Sequence, residues 1–120
     1  MSHCILVPET SAPDMLLPLQ GRSDIVLKRF GPKVTAPEFR ALLGNVNAMV
    51  LGVTPIADAE LDAAPQLKAV ARVGVGYDAI DVPALTRRRI PRLITGTANS
   101  VSFAEQALAF MFAFAKRANA

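Results

Sequence analysis

The stretch "ARVGVGYDAID" (Ala71–Asp81) follows an apolar run and carries Gly74, Gly76 and Ala79 at Gly-x-Gly-x-x-Ala spacing. That spacing belongs to a dinucleotide-binding fingerprint. The fingerprint also needs a strand before it, a helix opening within it, and an acid at the end of the next strand. The strand is there, in "LKAVARV". The helix is not. Pro83 fits the first turn of a helix, so that helix starts after the motif with Asp81 as its N-cap. A pyrophosphate would find no helix N-terminus to rest on. The acid is missing too. The next strand, "PRLITG", ends in Thr95 and Gly96, and the nearest carboxylate beyond is Glu105. Two readings of the loop then stand on residues alone. The glycines turn the chain at a strand end, or their adjacent backbone N–H groups bind an anion such as a substrate carboxylate.

Working outward from this loop, strands and helices alternate. "HCILVP", "DIVLKR", "AMVLGV", "LKAVARV" and "PRLITG" read as five strands. Between the first two, a short helix starts near Pro13 and is disturbed at Pro18. "TAPE" (Thr35–Glu38) fits a capping box, with Thr35 as N-cap and Glu38 at N3. The helix it opens stops at Gly44 or Asn45. Another helix spans about Ala57 to Ala63. The longest follows "TANS", with Ser102 and Glu105 forming a second capping box. Alternation of this kind implies parallel pairing and right-handed crossovers. Continuous apolar strands suit a sheet covered on both faces. The expected fold is α/β: a flavodoxin-like, doubly wound, five-stranded parallel sheet of order 2-1-3-4-5. Ligands bind such sheets beyond the carboxyl ends of the strands, where "VTPI", "VGVGYD" and "TGTANS" lie.

Composition limits the function classes. At 120 residues the chain is one domain's worth. The net charge of +3 is scattered, except for Arg87-Arg88-Arg89, which reads as a solvated helix end; no nucleic-acid surface is expected. The lone cysteine, Cys4, lies in an apolar run and reads as buried, reduced and cytoplasmic. The sole histidine, His3, has no Cys/His cluster around it, so no zinc site is expected. The longest apolar run, Ala107 to Ala115, is far short of the ~20 residues a membrane span needs, and no membrane partner is expected.

"LKAVARVGVGYDAIDVPALTRRRIP" followed by "ITGTANSVSFAEQALAFMFAFAKR" resembles the N-terminal part of the D-isomer-specific 2-hydroxyacid dehydrogenases, which include phosphoglycerate, glyoxylate/hydroxypyruvate and formate dehydrogenases. The resemblance is closest from about Leu67 to Arg117 and looser from Cys4 to Gln66. It implies that residues 1–100 are the N-terminal part of a substrate-binding domain, and that 101–120 are a long apolar helix leading toward a cofactor domain. It implies a small 2-hydroxy or 2-oxo acid as ligand. The carboxylate would sit on the backbone amides of Val75 and Gly76, with Asn99 at the substrate and Ser100 near the cofactor. "VTPI" (Val53–Ile56) would form another wall. On its own residues, Asn99 also reads as a loop residue capping its own backbone.

The cofactor implied is NAD or NADP, bound by a Rossmann unit outside these residues. The family's catalytic Arg, Glu and His also lie outside them, so no catalytic residue is expected in this chain and the chain alone is expected to be inactive. The segment "ALAFMFAFA" (Ala107–Ala115) is apolar all round, and a surface helix should show a polar stripe. Phe110, Phe112 and Phe114 cannot all face one core. Self-association through the Phe103–Ala115 helix is the expectation.

Two rival classes are weighed. A response-regulator receiver would need acids after the first strand, an Asp ending the third and a Lys ending the fifth; only Glu9 is in place. A flavin module would bind phosphate after the first strand, but the candidate loop follows the fifth. A non-catalytic flavodoxin-like interaction or ligand-binding module is the remaining alternative.

Overall fold

The computed structural model describes residues 1–118. Five strands form one parallel sheet: β1 (His3–Pro8), β2 (Ile25–Phe30), β3 (Ala48–Leu51), β4 (Ala69–Arg72) and β5 (Arg92–Ile94), in the order β2-β1-β3-β4-β5. The expected order is the one found. Helices fill the crossovers: α1 (Pro13–Leu16), α2 (Ala36–Leu42), α3 (Asp58–Asp62) and α4 (Val82–Arg87). The fifth, α5 (Ser100–Lys116), follows β5.

Local chemistry explains most boundaries. α1 gives way to a 3-10 turn at Leu17–Leu19, where Pro18 cannot supply an α-helical N–H. Thr35 and Glu38 cap α2 reciprocally, with the Thr35 N–H donating to Glu38 at 2.9 Å. The Asp81 carboxylate accepts from the Ala84 N–H at 2.9 Å and starts α4 there. Asn47 ties the sheet together at the strand beginnings. Its side chain accepts from the Cys4 N–H, its own N–H donates to the Cys4 carbonyl, and its carbonyl accepts from Lys68, each at 2.8 Å.

The core lies between sheet and helices. Leu6, Val7, Leu43, Val46, Leu51 and Val70 are fully buried, and Cys4 is buried as a free thiol. Arg87 and Arg88 meet α3: Arg87 pairs with Asp58 at 3.1 Å, and Arg88 with both Asp58 and Asp62. The Arg88 hydrogen bond, then that of Arg87, holds the Asp58 carboxyl below its ordinary value. Arg89 ends α4 with φ of 55°, in the left-handed region.

α5 departs from expectation at its start. It begins at Ser100, with Asn99 as N-cap, so Ser102 and Glu105 lie inside the helix and form no capping box. Successive turns, from the Ala98 N–H to Thr95 and the Ser100 N–H to Thr97, already wind the chain before Ser102. None of the helix's residues is buried. The radius of gyration, 17.8 Å, exceeds the ~14 Å of a compact 120-residue domain. The long axis reaches 58 Å. Among the described residues no helix is long and apolar enough to cross a membrane.

Candidate functional site

The loops after β3, β4 and β5 meet at one end of the sheet because their strands are neighbours. β3 and β4 run in register from Ala48↔Ala69 to Leu51↔Arg72. The ladder continues one step past them, with the Val73 N–H donating to Leu51 at 2.9 Å. The two loops then separate and rejoin. The Ile56 N–H donates to Ala79 at 2.9 Å, and the Asp81 N–H to Ile56 at 2.8 Å. "VTPI" and "VGVGYD" are thus pinned together at both ends. The loop after β5 approaches Gly74, to which the Thr95 N–H donates at 3.4 Å.

Within this frame the glycine loop turns sharply. Gly74 has φ of 132°, which only glycine adopts freely. A Cβ there would also collide with the Arg72 guanidinium. Gly76 is different: its φ is not positive, and a Cβ would meet only Asp78 Oδ2 at 3.6 Å. The amide N–H groups of Val75 and Gly76 donate to no acceptor among the described residues. Both residues are exposed. A cavity of about 180 Å³ opens beside them, lined by Val53, Arg72, Gly76, Asp78 and Ala79. The Arg72 side chain makes no ion pair among the described residues. The Gly76 residue, the Arg72 guanidinium and the Asp78 carboxylate share this cavity, with Val75 next along the loop; unpaired N–H groups and a guanidinium can hold a small anion, and Asp78 opposes part of that attraction. Nearby, the Arg92 guanidinium stacks on the Tyr77 ring, 3.7 Å from its centroid, a contact that braces the loop just past Gly76.

α4 begins six positions after Gly76, at Val82. No helix N-terminus faces the glycines, so the loop does not fit a dinucleotide pyrophosphate.

Asn99 is half-buried at the N-terminus of α5 and its side chain makes no capping bond. It has no hydrogen bond to Val75 or Gly76 and does not line the cavity beside them. Ser100 is exposed, in the first turn of α5. The structure therefore joins Gly76 to Val53, while Asn99 and Ser100 stand on the neighbouring loop. His3 lines a separate cavity with Asn47 and Lys68, at the strand beginnings. The sequence reading passed over Arg72 and Asp78. Arg72 left a usable trace, as a charged residue ending an apolar strand directly before the glycines.

Comparison with known proteins adds the family. The model of the D-isomer specific 2-hydroxyacid dehydrogenase catalytic domain matches residues 5–117. D-3-phosphoglycerate dehydrogenase of Mycobacterium tuberculosis H37Rv is 34% identical over 114 residues, covering 94% of this chain and 21% of that protein. A protein of Thermus thermophilus shares the fold, with a TM-score of 0.84 at 24% identity, over 96% of this chain and 37% of that one. An NADPH-dependent glyoxylate/hydroxypyruvate reductase of Sinorhizobium meliloti, solved with NADP and malonate, gives a TM-score of 0.72 at 26% identity, over 94% and 34%. The chain thus spans about a fifth of the mycobacterial relative and about a third of the two structures. Across nearly its whole length, the chain belongs to the D-isomer-specific 2-hydroxyacid dehydrogenase family, in the catalytic-domain part.

Proposed function

We propose that residues 1–100 are the substrate-binding part of an NAD- or NADP-dependent D-2-hydroxyacid dehydrogenase, and that 101–120 lead on toward its cofactor domain. The whole enzyme would transfer hydride between the nicotinamide and a small 2-hydroxy or 2-oxo acid. The observation that carries the reading is the pair of unpaired amides at Val75 and Gly76 beside Arg72. A carboxylate has two oxygens. Adjacent N–H donors satisfy one, and a guanidinium satisfies the other with a charge-assisted bond. The loop is held by Ile56 and Tyr77 before any ligand arrives, so little ordering entropy opposes binding. Asn99 and Ser100 are proposed to face the ligand and the cofactor respectively from the adjoining loop. The chain by itself is proposed to be catalytically inactive. Its one histidine lies at the opposite end of the strands, out of reach of any proton at the carboxylate site.

Amide shifts on an isotope-labelled sample test the site. Titration with oxalate or glycolate is expected to move Val75, Gly76 and Asn99. Shifts confined to other positions would refute it. NADH oxidation with glyoxylate or hydroxypyruvate tests the second statement, and measurable turnover by the 120-residue chain would overturn it.

Self-association belongs to the same proposal. Phe103, Phe110 and Phe114 fall on one helical stripe at i, i+7 and i+11. All three are well over half exposed. The partner proposed for this stripe is the same helix of a second copy.

A further inference from the structure

The segment Gly74–Gly76 is the least tied part of its loop. The Val73 N–H before it donates to Leu51, and the Tyr77 carbonyl after it accepts from Ile80, each at 2.9 Å. Between them, among the described residues, one backbone bond reaches the segment: the Thr95 N–H donates to the Gly74 carbonyl at 3.4 Å. Two of the three residues are glycines, which have wide backbone freedom and no side chain to anchor them. Val75, between them, is exposed. The direction of the free Val75 and Gly76 N–H groups is therefore set by what holds the next residue. That residue is Tyr77, and its ring lies against the Arg92 guanidinium, 3.7 Å from centroid to Cζ.

Arg92 is an odd residue for its place. It opens β5, where it pairs with Val70, and the same row of the sheet runs on through Met49 to Leu6. Those three are apolar and fully buried. Packing alone would be served by another apolar side chain. Arg22, Arg40, Arg87 and Arg88 each pair with a carboxylate, but Arg92 makes no ion pair among the described residues. Its Nη1 is buried with no hydrogen-bond partner. A buried N–H on a charged group is costly unless something compensates it. The negative face of the Tyr77 ring is the compensating group here. The sheet fixes the Arg92 backbone, so the stack ties the loop to β5.

We propose that Arg92 is a positioning residue for the carboxylate site: by clamping the Tyr77 ring to β5, it holds the Val75 and Gly76 amides in the arrangement that receives the anion. The inference rests on the carboxylate site proposed above. Arg92 does not line the cavity there, so it acts through Tyr77. Without the clamp the segment must be ordered when the ligand binds, and affinity falls.

The full 120-residue chain, isotope-labelled, is titrated with oxalate, and affinity is read from the Val75 and Gly76 amides. Arg92→Met and Tyr77→Leu should each weaken binding about 3- to 5-fold, the worth of one exposed cation–π contact. The double variant should be no weaker than either single one, because both remove the same contact. Tyr77→Phe keeps the ring face and should bind within about twofold of wild type. Arg92→Lys keeps a cation and should recover part of the loss that Arg92→Met causes. Without ligand, the wild-type Arg92 Nε–H resonance should lie upfield under the ring current, stay there in Tyr77→Phe and return in Tyr77→Leu. An unshifted wild-type resonance would overturn the clamp even if Arg92→Met fails to fold. Variants that lower the urea midpoint but bind oxalate as wild type does would make the stack structural only and overturn the positioning role. Losses that multiply in the double variant, or that follow Arg92→Met but not Tyr77→Leu, would overturn it as well. If oxalate leaves Val75 and Gly76 unmoved in wild type, the carboxylate site falls and the positioning role with it.

Discussion

Gly74→Ala should cost far more than Gly76→Ala, although the two glycines stand two residues apart in one loop. Gly74 has φ of 132°. An L-residue held in this region is strained by about 1–3 kcal/mol. Its Cβ would also overlap the Arg72 guanidinium, which must then move. At Gly76 the backbone is ordinary and the nearest atom to a Cβ is Asp78 Oδ2 at 3.6 Å, a normal contact. Alanine there restricts the unfolded chain, an effect of about 0.4–1 kcal/mol in favour of folding. The two variants should therefore differ by about 2 kcal/mol or more. With a urea slope of about 1–3 kcal/mol per M, their midpoints should separate by roughly 1 M. Circular dichroism during urea unfolding measures this. A cycle with Arg72→Ala divides the cost: removing the guanidinium relieves the overlap but not the backbone strain. In that background Gly74→Ala should still cost about 1 kcal/mol or more. Equal midpoints for the two alanine variants would refute the reasoning. A Gly74→Ala cost that vanishes with Arg72→Ala would assign the effect to crowding alone.

Arg89 occupies the left-handed region at the end of α4, so Arg89→Gly should stabilise the fold by up to about 1 kcal/mol, read as a raised urea midpoint. Asp58 has its carboxyl held below its ordinary value of 3.8 by Arg88 and Arg87. A depressed folded-state value stabilises above the unfolded value and loses that effect as pH falls through the folded one; Asp58→Asn should flatten the drop in urea midpoint below about pH 4, and an unchanged acid limb would count against the pairing. Phe110→Ser with Phe114→Ser should turn a self-associated chain into a monomer at tens of micromolar in sedimentation velocity, and a wild-type monomer there would refute the proposed helix contact.

What the sequence disclosed follows the range of the forces involved. The caps at Thr35 and Asp81 were legible because each is settled within four residues of chain. Strand order was legible because apolar β-runs separated by helix signals leave few parallel arrangements. The cap at Ser102 failed for the same local reason. Two competing turns at Thr95–Ser100 start the helix earlier, and Ser-x-x-Glu then falls inside it. Arg72 was missed because its importance is not local. It depends on β3 lying beside β4, on Val53 facing Gly76, and on the Ile56–Ala79 bond that keeps the two loops together. The cavity of about 390 Å³ lined by Pro8, Phe30 and Gly52 needs even more: the ends of β1, β2 and β3, at positions 8, 30 and 51, must converge before it exists.

The loop at Ala71–Asp81 shows why glycine spacing alone is a poor guide to a ligand. A pyrophosphate loop needs its glycines against a helix N-terminus, where free N–H groups and the helix dipole act together. Here the chain runs on for five residues after Gly76 before α4 starts at Val82, and Asp81 already takes the Ala84 N–H. The first-turn donors of α4 are therefore partly satisfied and lie away from the glycines. What remains at the loop is a pair of amides with no partner among the described residues, one arginine and the Asp78 carboxylate. That set is too small for two phosphates and a ribose. The occupant proposed for it is a single carboxylate, with Gly74 present for its backbone angle and Gly76 for its exposed N–H.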